Sequence, residues 1–273
     1  MITRSGIIKK TGGLMPFIQR LLLSVPTIPL AIILIVSAIA LSVFGLWIVR
    51  RFVSPQLLKM HNKLADSIFQ ALAMAYTVLL AFVVVVSWQN FDKAKSHTET
   101  EANCLIDLYR GSAAFSQPFK DKMCALVKDY ARVVVGEEWK MLARGQESIN
   151  ASTTLRKIWA LYEDYEPKTE KEKLFFAESI RKLDDLREAR RLRILDSRTG
   201  IHPALWFILI AGGMATIGFT FLFGSDSFKT HAVMASILAS VIALILLTIL
   251  SFSYPFTGDV IIGPETFQQI INF

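Results

Sequence analysis

The sequence predicts an all-α polytopic membrane protein, with four transmembrane helices arranged two plus two around a helical cytoplasmic bundle. Three observations carry this. Residues 21–49, 67–91, 199–225 and 230–258 contain no Lys, Arg, Asp or Glu, and each run exceeds the roughly 20 residues a helix needs to cross a bilayer core. None shows the period-two alternation of a barrel strand, and in hydrocarbon a helix is what remains to satisfy its own backbone. Between the second and third runs lies a charged segment, 92–198, whose apolar residues recur at helical spacing.

Taken in order, 1–28 reads as an N-terminal tail. Its apolar stretch 17–24, closed by Pro26 and Pro29, predicts a short interfacial helix. Transmembrane helices 1 and 2 occupy 29–91. Pro55 ends whatever continues past Arg51, and the second span opens near Asp66. No strong breaker follows until Gly111, so that helix is expected to run out of the membrane as a stalk. The bundle, 92–200, carries four stripes: Cys104, Leu105, Leu108 and Tyr109; Met123 to Val134; Leu155, Ile158, Trp159 and Tyr162; and Phe176, Ile180, Leu183 and Leu186. Separators fall at 111–118, 136–150 and 166–169, and Thr169 with Glu172 forms a capping box before the last stripe. Transmembrane helices 3 and 4 fill 201–252, and 253–273 is a C-terminal tail. Ala232, Ser236 and Ser240, then Ala235, Ala239 and Ala243, form small-residue ladders on the fourth span, and Gly212 and Gly213 lie between Ala211 and Ala215 on the third. Such ladders permit close helix approach in lipid, within one chain or between copies.

The formal charge is +7. The segment 92–198 is nearly balanced, with 21 Lys and Arg against 19 Asp and Glu. The excess sits at membrane flanks, at Arg4, Lys9, Lys10, Arg20, Arg50, Arg51, Lys59 and Lys63, where it meets lipid phosphates; no nucleic-acid partner is expected. Counting basic residues near the span ends gives eleven on the side of the termini and central segment and five on the other. The expectation is a multi-pass protein of the cell membrane, inner or plasma, with the central segment and both termini cytoplasmic. The first run is too long for a signal-peptide core and is expected to stay as a helix. Cys104 and Cys124 fit no metal spacing and read as buried thiols.

No hydrolase, nucleotide-binding or metalloprotease motif is present. The four histidines, His61, His97, His202 and His231, are scattered and suit interfacial hydrogen bonds. Glu137 and Glu138 are adjacent, so on a helix they diverge by about 100° and make a poor acid–base pair. The sequence therefore names no catalytic residue, metal or cofactor, and an enzyme is not expected. The spans also lack the mid-membrane charge that coupled transporters usually carry. Gln70, Tyr76 and Thr77 form the polar cluster of the second span, followed by Phe82 and Val83 to Val86. A passive pore with an apolar constriction can be built from such a helix, and so can a fully packed span.

Several short motifs stand in a fixed order. They are His61-Asn62; Ala75-Tyr76 with Leu79 to Phe82; Glu101-Ala102; Leu108-Tyr109-Arg110; Tyr130-Ala131; Glu137-Glu138-Trp139; Arg187 with Arg190 and Arg191; His202-Pro203 with Leu205-Trp206; and Pro255 to Asp259. In these the chain resembles the bestrophin-like membrane proteins of bacteria and plants. Bestrophins are oligomeric anion channels whose second membrane helix lines the pore. The resemblance implies a homo-oligomer in the lipid bilayer passing small ions, anions preferred, with Gln70, Tyr76, Thr77, Phe82, Val83 and Val86 lining the path. The acidic calcium clasp of animal bestrophins has no counterpart in the sequence. Structural salt bridges are expected from Glu101, Arg110, Glu137, Glu138, Arg187, Arg190, Arg191 and Asp259, with Arg187, Arg190 or Arg191 as partner of Glu101 and with Asp259 tying the tail to the arginines. The competing reading is a non-conducting membrane sensor or scaffold whose bundle binds a partner.

Overall fold

The computed structural model describes residues 22, 24–60 and 62–273, except the side chains of Pro55 and Leu57. The expected interfacial helix near the N-terminus and the role of His61 fall outside the described residues. All regular structure among the described residues is helical. The chain divides into two units, one of Val25–Gln89 and Ile201–Ser253, the other of Asn90–Gly200 and Tyr254–Phe273 with the described residues before Val25.

In the first unit α1 spans Thr27–Phe52, α2 Pro55–Met60, α3 begins at Asn62, α8 spans Pro203–Thr220 and α9 Phe228–Phe252. α1, α3, α8 and α9 are long and apolar enough to cross a membrane. α3 runs unbroken to Gly111, as the lack of a breaker predicts, and so supplies residues to both units. Its Tyr76, Leu80 and Val83 recur every three or four residues and pack on Leu209 of α8 and Ile242 and Ile249 of α9. The approach is close because α8 carries glycines there. A Cβ at Gly212 would lie 2.7 Å from the Tyr76 ring, and one at Gly213 would lie 2.9 Å from its hydroxyl. Tyr76 donates to Leu209 O at 2.8 Å, which satisfies the phenol in an apolar setting. On α9, Ala235 and Ala239 are buried within the chain, so part of that ladder serves intrachain packing.

The turn between α8 and α9 is fastened to the region between α1 and α3. Asn62 donates to Gly224 O at 3.1 Å and accepts from Gly224 N at 2.9 Å. Arg50 donates to Ser225 O at 2.9 Å and to His231 Nδ1 at 3.2 Å, and His231 Nε2 donates to Thr220 O at 2.9 Å. Lys59 pairs with Asp226.

The second unit holds the remainder of α3, a 3-10 turn at Ser112–Ala114, α4 (Gln117–Val133), a π turn at Val134–Glu138, α5 (Trp139–Leu142), α6 (Ile149–Glu163), α7 (Glu170–Arg198) and α10 (Glu265–Ile271). The four apolar stripes form its core. Gly136 is no separator: the helix passes through it in the π turn and ends only at Leu142. Over four residues an α-helix advances its face by about 40°. A wider turn cancels part of that drift and keeps Glu138 and Leu142 on the buried line of Tyr130 and Val134. The capping box forms, with Thr169 Oγ1 accepting from Glu172 N and Glu172 accepting from Thr169 N. Of the two thiols only Cys104 is buried; Cys124 is half-buried, with Ser112 Oγ 3.5 Å away. The tail folds against the same core through Phe256, Ile262, Phe267 and Ile270. Gly258 supplies the positive φ of its turn, +96°.

Candidate functional site

α3 carries both arrangements of interest, one in each unit. Successive residues of an α-helix step by about 100°, and this divides the six expected pore residues among three directions. Tyr76 and Val83 turn into the chain's own core. Phe82 points about 120° round the helix from Tyr76 and is 68% exposed, and the side opposite Tyr76 carries Met74, Val78 and Val85, all exposed. Val86 is half-buried at the edge of that face. Gln70 and Thr77 lie on a third side, exposed, and Gln70 donates to Asp66 at 3.0 Å. The outward side carries no charge from Ser67 to Phe91, and it is apolar over Met74, Val78, Phe82 and Val85.

In the second unit a buried network joins α3, α4, the π turn and α7. Arg193, fully buried, donates from Nε to Glu101 Oε2 at 2.6 Å and from Nη2 to Glu101 Oε1 and Glu138 Oε2, both at 2.9 Å. Arg190, one turn earlier on the same face of α7, donates to Glu138 Oε1 at 2.5 Å and to Ser148 O at 3.3 Å. Tyr130 donates to Glu101 Oε1 at 2.7 Å. Two acids meet two guanidiniums, so the cluster is neutral overall. Arg193 also stands over two adjacent aromatic rings, 5.3 Å from the Trp139 centroid and 5.6 Å from that of Phe267. Its Nη1 has no hydrogen-bond partner, and the electron-rich ring faces supply the electrostatic compensation.

Burial alone would raise the Glu138 carboxyl, but Arg193 and Arg190 beside it hold it below the usual carboxylate range. Burial, and then the Glu101 charge, push the Tyr130 phenol well above its ordinary value, which keeps it a donor. Glu137 is held low by hydrogen bonds from Asn150 and Ser148. Ser148 connects the two glutamates: its Oγ donates to Glu137 Oε1 at 2.7 Å and caps α6, while its N donates to Glu138 Oε1 at 3.2 Å.

The expected partners of Glu101 need correction. Its partner is Arg193, because Arg190 and Arg193 share the inward face of α7 while Arg187 and Arg191 lie progressively further round. Arg187 pairs with Asp184 at 3.3 Å and stands over Trp159, and Arg191 pairs with Glu188 at 2.5 Å, both exposed. Arg110 is exposed and forms no ion pair among the described residues. Asp259 is exposed, and the tail is anchored beside it by Thr257 Oγ1 donating to Ala143 O at 3.0 Å and Trp139 Nε1 donating to Ile262 O at 3.1 Å. His97 meets Asp196 at 2.7 Å, and His202 caps α8. Among the described residues no three His, Cys, Asp or Glu side chains converge as metal ligands.

Four apolar helices and an all-helical fold define a multi-pass membrane protein. The chain belongs to the Bestrophin-like family: the Bestrophin-like domain matches residues 36–267. It is similar in fold to a variant of a bacterial bestrophin homologue from Klebsiella pneumoniae, with TM-score 0.66, 14% identity, and 87% of this chain and 98% of that one covered. A second crystal structure of the Klebsiella homologue gives TM-score 0.62 at 12% identity, over 87% and 96% of the two chains. A crystal structure described as a membrane protein gives 0.67 at 14%, over 87% and 96%. No curated protein sequence matches the chain.

Proposed function

We propose that the chain is one subunit of a homo-oligomeric membrane channel that passes small ions, anions preferred, along a path lined by the α3 helices of several copies. The four membrane-crossing helices, two before the charged segment in the sequence and two after it, and the family's likeness to bestrophins support this reading. The observation that carries it is the division of α3 into a packed face, Tyr76, Leu80 and Val83, and an outward apolar face of Met74, Val78, Phe82 and Val85. An apolar ring at that level gates by dewetting and needs no fixed charge. Phe82 forms the constriction with Val86 beside it, Gln70 and Thr77 flank the path, and Tyr76 and Val83 hold the helix from behind. Basic residues at both mouths favour anions. The reading assigns the chain no catalysis.

Purified protein in liposomes is expected to pass chloride faster than potassium, and Phe82→Ala or Val86→Ala to change the current. Flux no greater than that of empty liposomes, with several ions and at acid and alkaline pH, would overturn it. So would a native assembly whose α3 helices enclose no axial path, the arrangement a non-conducting sensor or scaffold predicts.

A further inference from the structure

α6 and α7, outside the membrane-crossing helices, leave a groove of about 600 Å³ between them. It follows one side of α6 from Ile149 to Glu163, and Arg187 and Arg190 of α7 form the other wall. Arg190 is nine-tenths buried, its side chain only 9% exposed. Its Nη2 is committed to Glu138 and to Ser148 O, which sets the guanidinium beside the start of α6. Nε has no partner but is sealed, and no ligand reaches it. Nη1 is likewise without a partner among the described residues, but unlike Nε it keeps accessible surface, and the groove is where Arg190 is open. An unused donor on a largely buried cation holds an oxyanion more strongly than a surface arginine does, because water competes less for it.

Arg187 stands one turn away on α7, 5.9 Å from the centroid of the Trp159 ring. Its pair with Asp184, at 3.3 Å, lies on its own helix and is exposed, which leaves the other donors of its fork to water. Arg156 adds a third cation, and Glu147 and Glu163 stand toward the two ends, where Arg198 already answers Glu147 at 3.6 Å. The lining thus holds three guanidiniums against two carboxylates, an excess of one positive charge. Between the charges the surface is apolar, with Leu155 at the floor, Trp159 half-buried and Ile149 76% exposed.

We propose that this groove binds an aromatic monocarboxylate of the benzoate class, its carboxylate accepting from Arg190 Nη1 and from Arg187, and its ring lying on Ile149, Leu155 and Trp159. Two guanidiniums one helical turn apart, about 4.5 Å at the helical rise, can flank one planar carboxylate. The single excess charge suits a monoanion. A phosphate dianion would meet Glu147 and Glu163 with charge to spare and would leave the apolar floor uncovered. A rigid ring covers that floor with little conformational freedom to lose. The volume falls within the roughly 300–1,000 Å³ of small-molecule sites.

The probe is para-trifluoromethylbenzoate, followed by fluorine NMR with the native protein in detergent. Its signal is expected to broaden on adding protein and to recover with unlabelled benzoate, but not with chloride at the same ionic strength. The corresponding benzamide, the same shape without the charge, reports partition into micelles and should bind at least about tenfold more weakly, the weight of one charge-assisted hydrogen bond. Arg187→Gln should weaken binding about tenfold. Ile149→Glu sets a carboxylate in the groove at an exposed position, where the first turn of α6 tolerates an acid, and should abolish the broadening. Arg191→Ala, outside the groove, should bind the probe as the native protein does. Equal binding of the benzoate and the benzamide would overturn the proposal, and so would undiminished binding to Ile149→Glu. Displacement by chloride as effective as by benzoate would overturn it too, by assigning the anion to an ion path. Binding confined to separated subunits would make a second copy the occupant, with the same result. The readout is binding and not flux, so the proposal stands or falls apart from the channel reading.

Discussion

Arg193 and Glu101 form a bidentate ion pair with neither side chain exposed, across 92 residues of sequence. A fully desolvated guanidinium is tolerated only because each charge nearby has its counterpart. Removing one partner therefore leaves an uncompensated buried charge. The pair is a fastening between α3 and α7, and Glu138 extends it to the π turn.

Arg193→Ala is expected to destabilise the folded chain by about 3–5 kcal/mol. Arg191→Ala, whose partner Glu188 is exposed, should leave stability nearly unchanged, because water screens a surface ion pair. Thermal melts of both variants in one detergent check this, and equal melting temperatures would contradict it.

The Glu138 carboxyl is depressed in the fold. Its contribution to stability is therefore complete above the ordinary carboxylate value of 4.5 and is lost as pH falls through the lower folded value. Melting temperature should hold from neutral pH down to about 4.5 and fall below it. Glu138→Gln should be less stable at neutral pH and lose less on acidification over that lower range.

Two glycines on α8 should respond with opposite sign. Gly212→Ala drives a methyl toward the Tyr76 ring and should cost about 1–3 kcal/mol. Gly218→Ala meets open space and should be neutral or gain up to about 1 kcal/mol. Paired melts distinguish this packing account from a general intolerance of α8 to substitution.

Stability and conduction should separate on the two faces of α3. Tyr76→Phe removes the hydrogen bond to Leu209 O and should cost about 0.5–1.5 kcal/mol while leaving ion flux unchanged. Phe82→Ala, on the outward face, should change flux with little effect on melting. Flux that tracks Tyr76 rather than Phe82 would place the path on the other side of the helix.

Much of the fold is legible in the sequence because its cause is local. A run without charges and longer than a bilayer core names its own environment, and the stripes of Leu105 and Leu108, or of Leu183 and Leu186, declare which face is buried. The Thr169–Glu172 box needs only three residues of spacing. The tail turn at Gly258 follows from the residue that tolerates positive φ.

Other features depend on registers that distant segments impose on one another. Gly136 reads as a breaker, yet the π turn carries the helix through it so that Glu138 stays inside. Asn62 holds both backbone groups of Gly224, a contact 162 residues long that its neighbouring motif does not announce. Arg193 stands one turn from Arg190 in a run of four arginines, and a faint sign of its place is that Leu183, Leu186 and Arg190 share its face.

The sequence by itself determined the four membrane helices, the helical bundle and the family, because hydrophobic length, helical period and motif order are properties of the chain alone. Only the tertiary structure decided that Arg193 answers Glu101, that Tyr76 and Val83 face inward while Phe82 is exposed, and that Asn62 holds both backbone groups of Gly224. Each of these depends on which surface of one helix meets another. Packing across long separations sets that choice, and residue spacing within a single segment does not encode it.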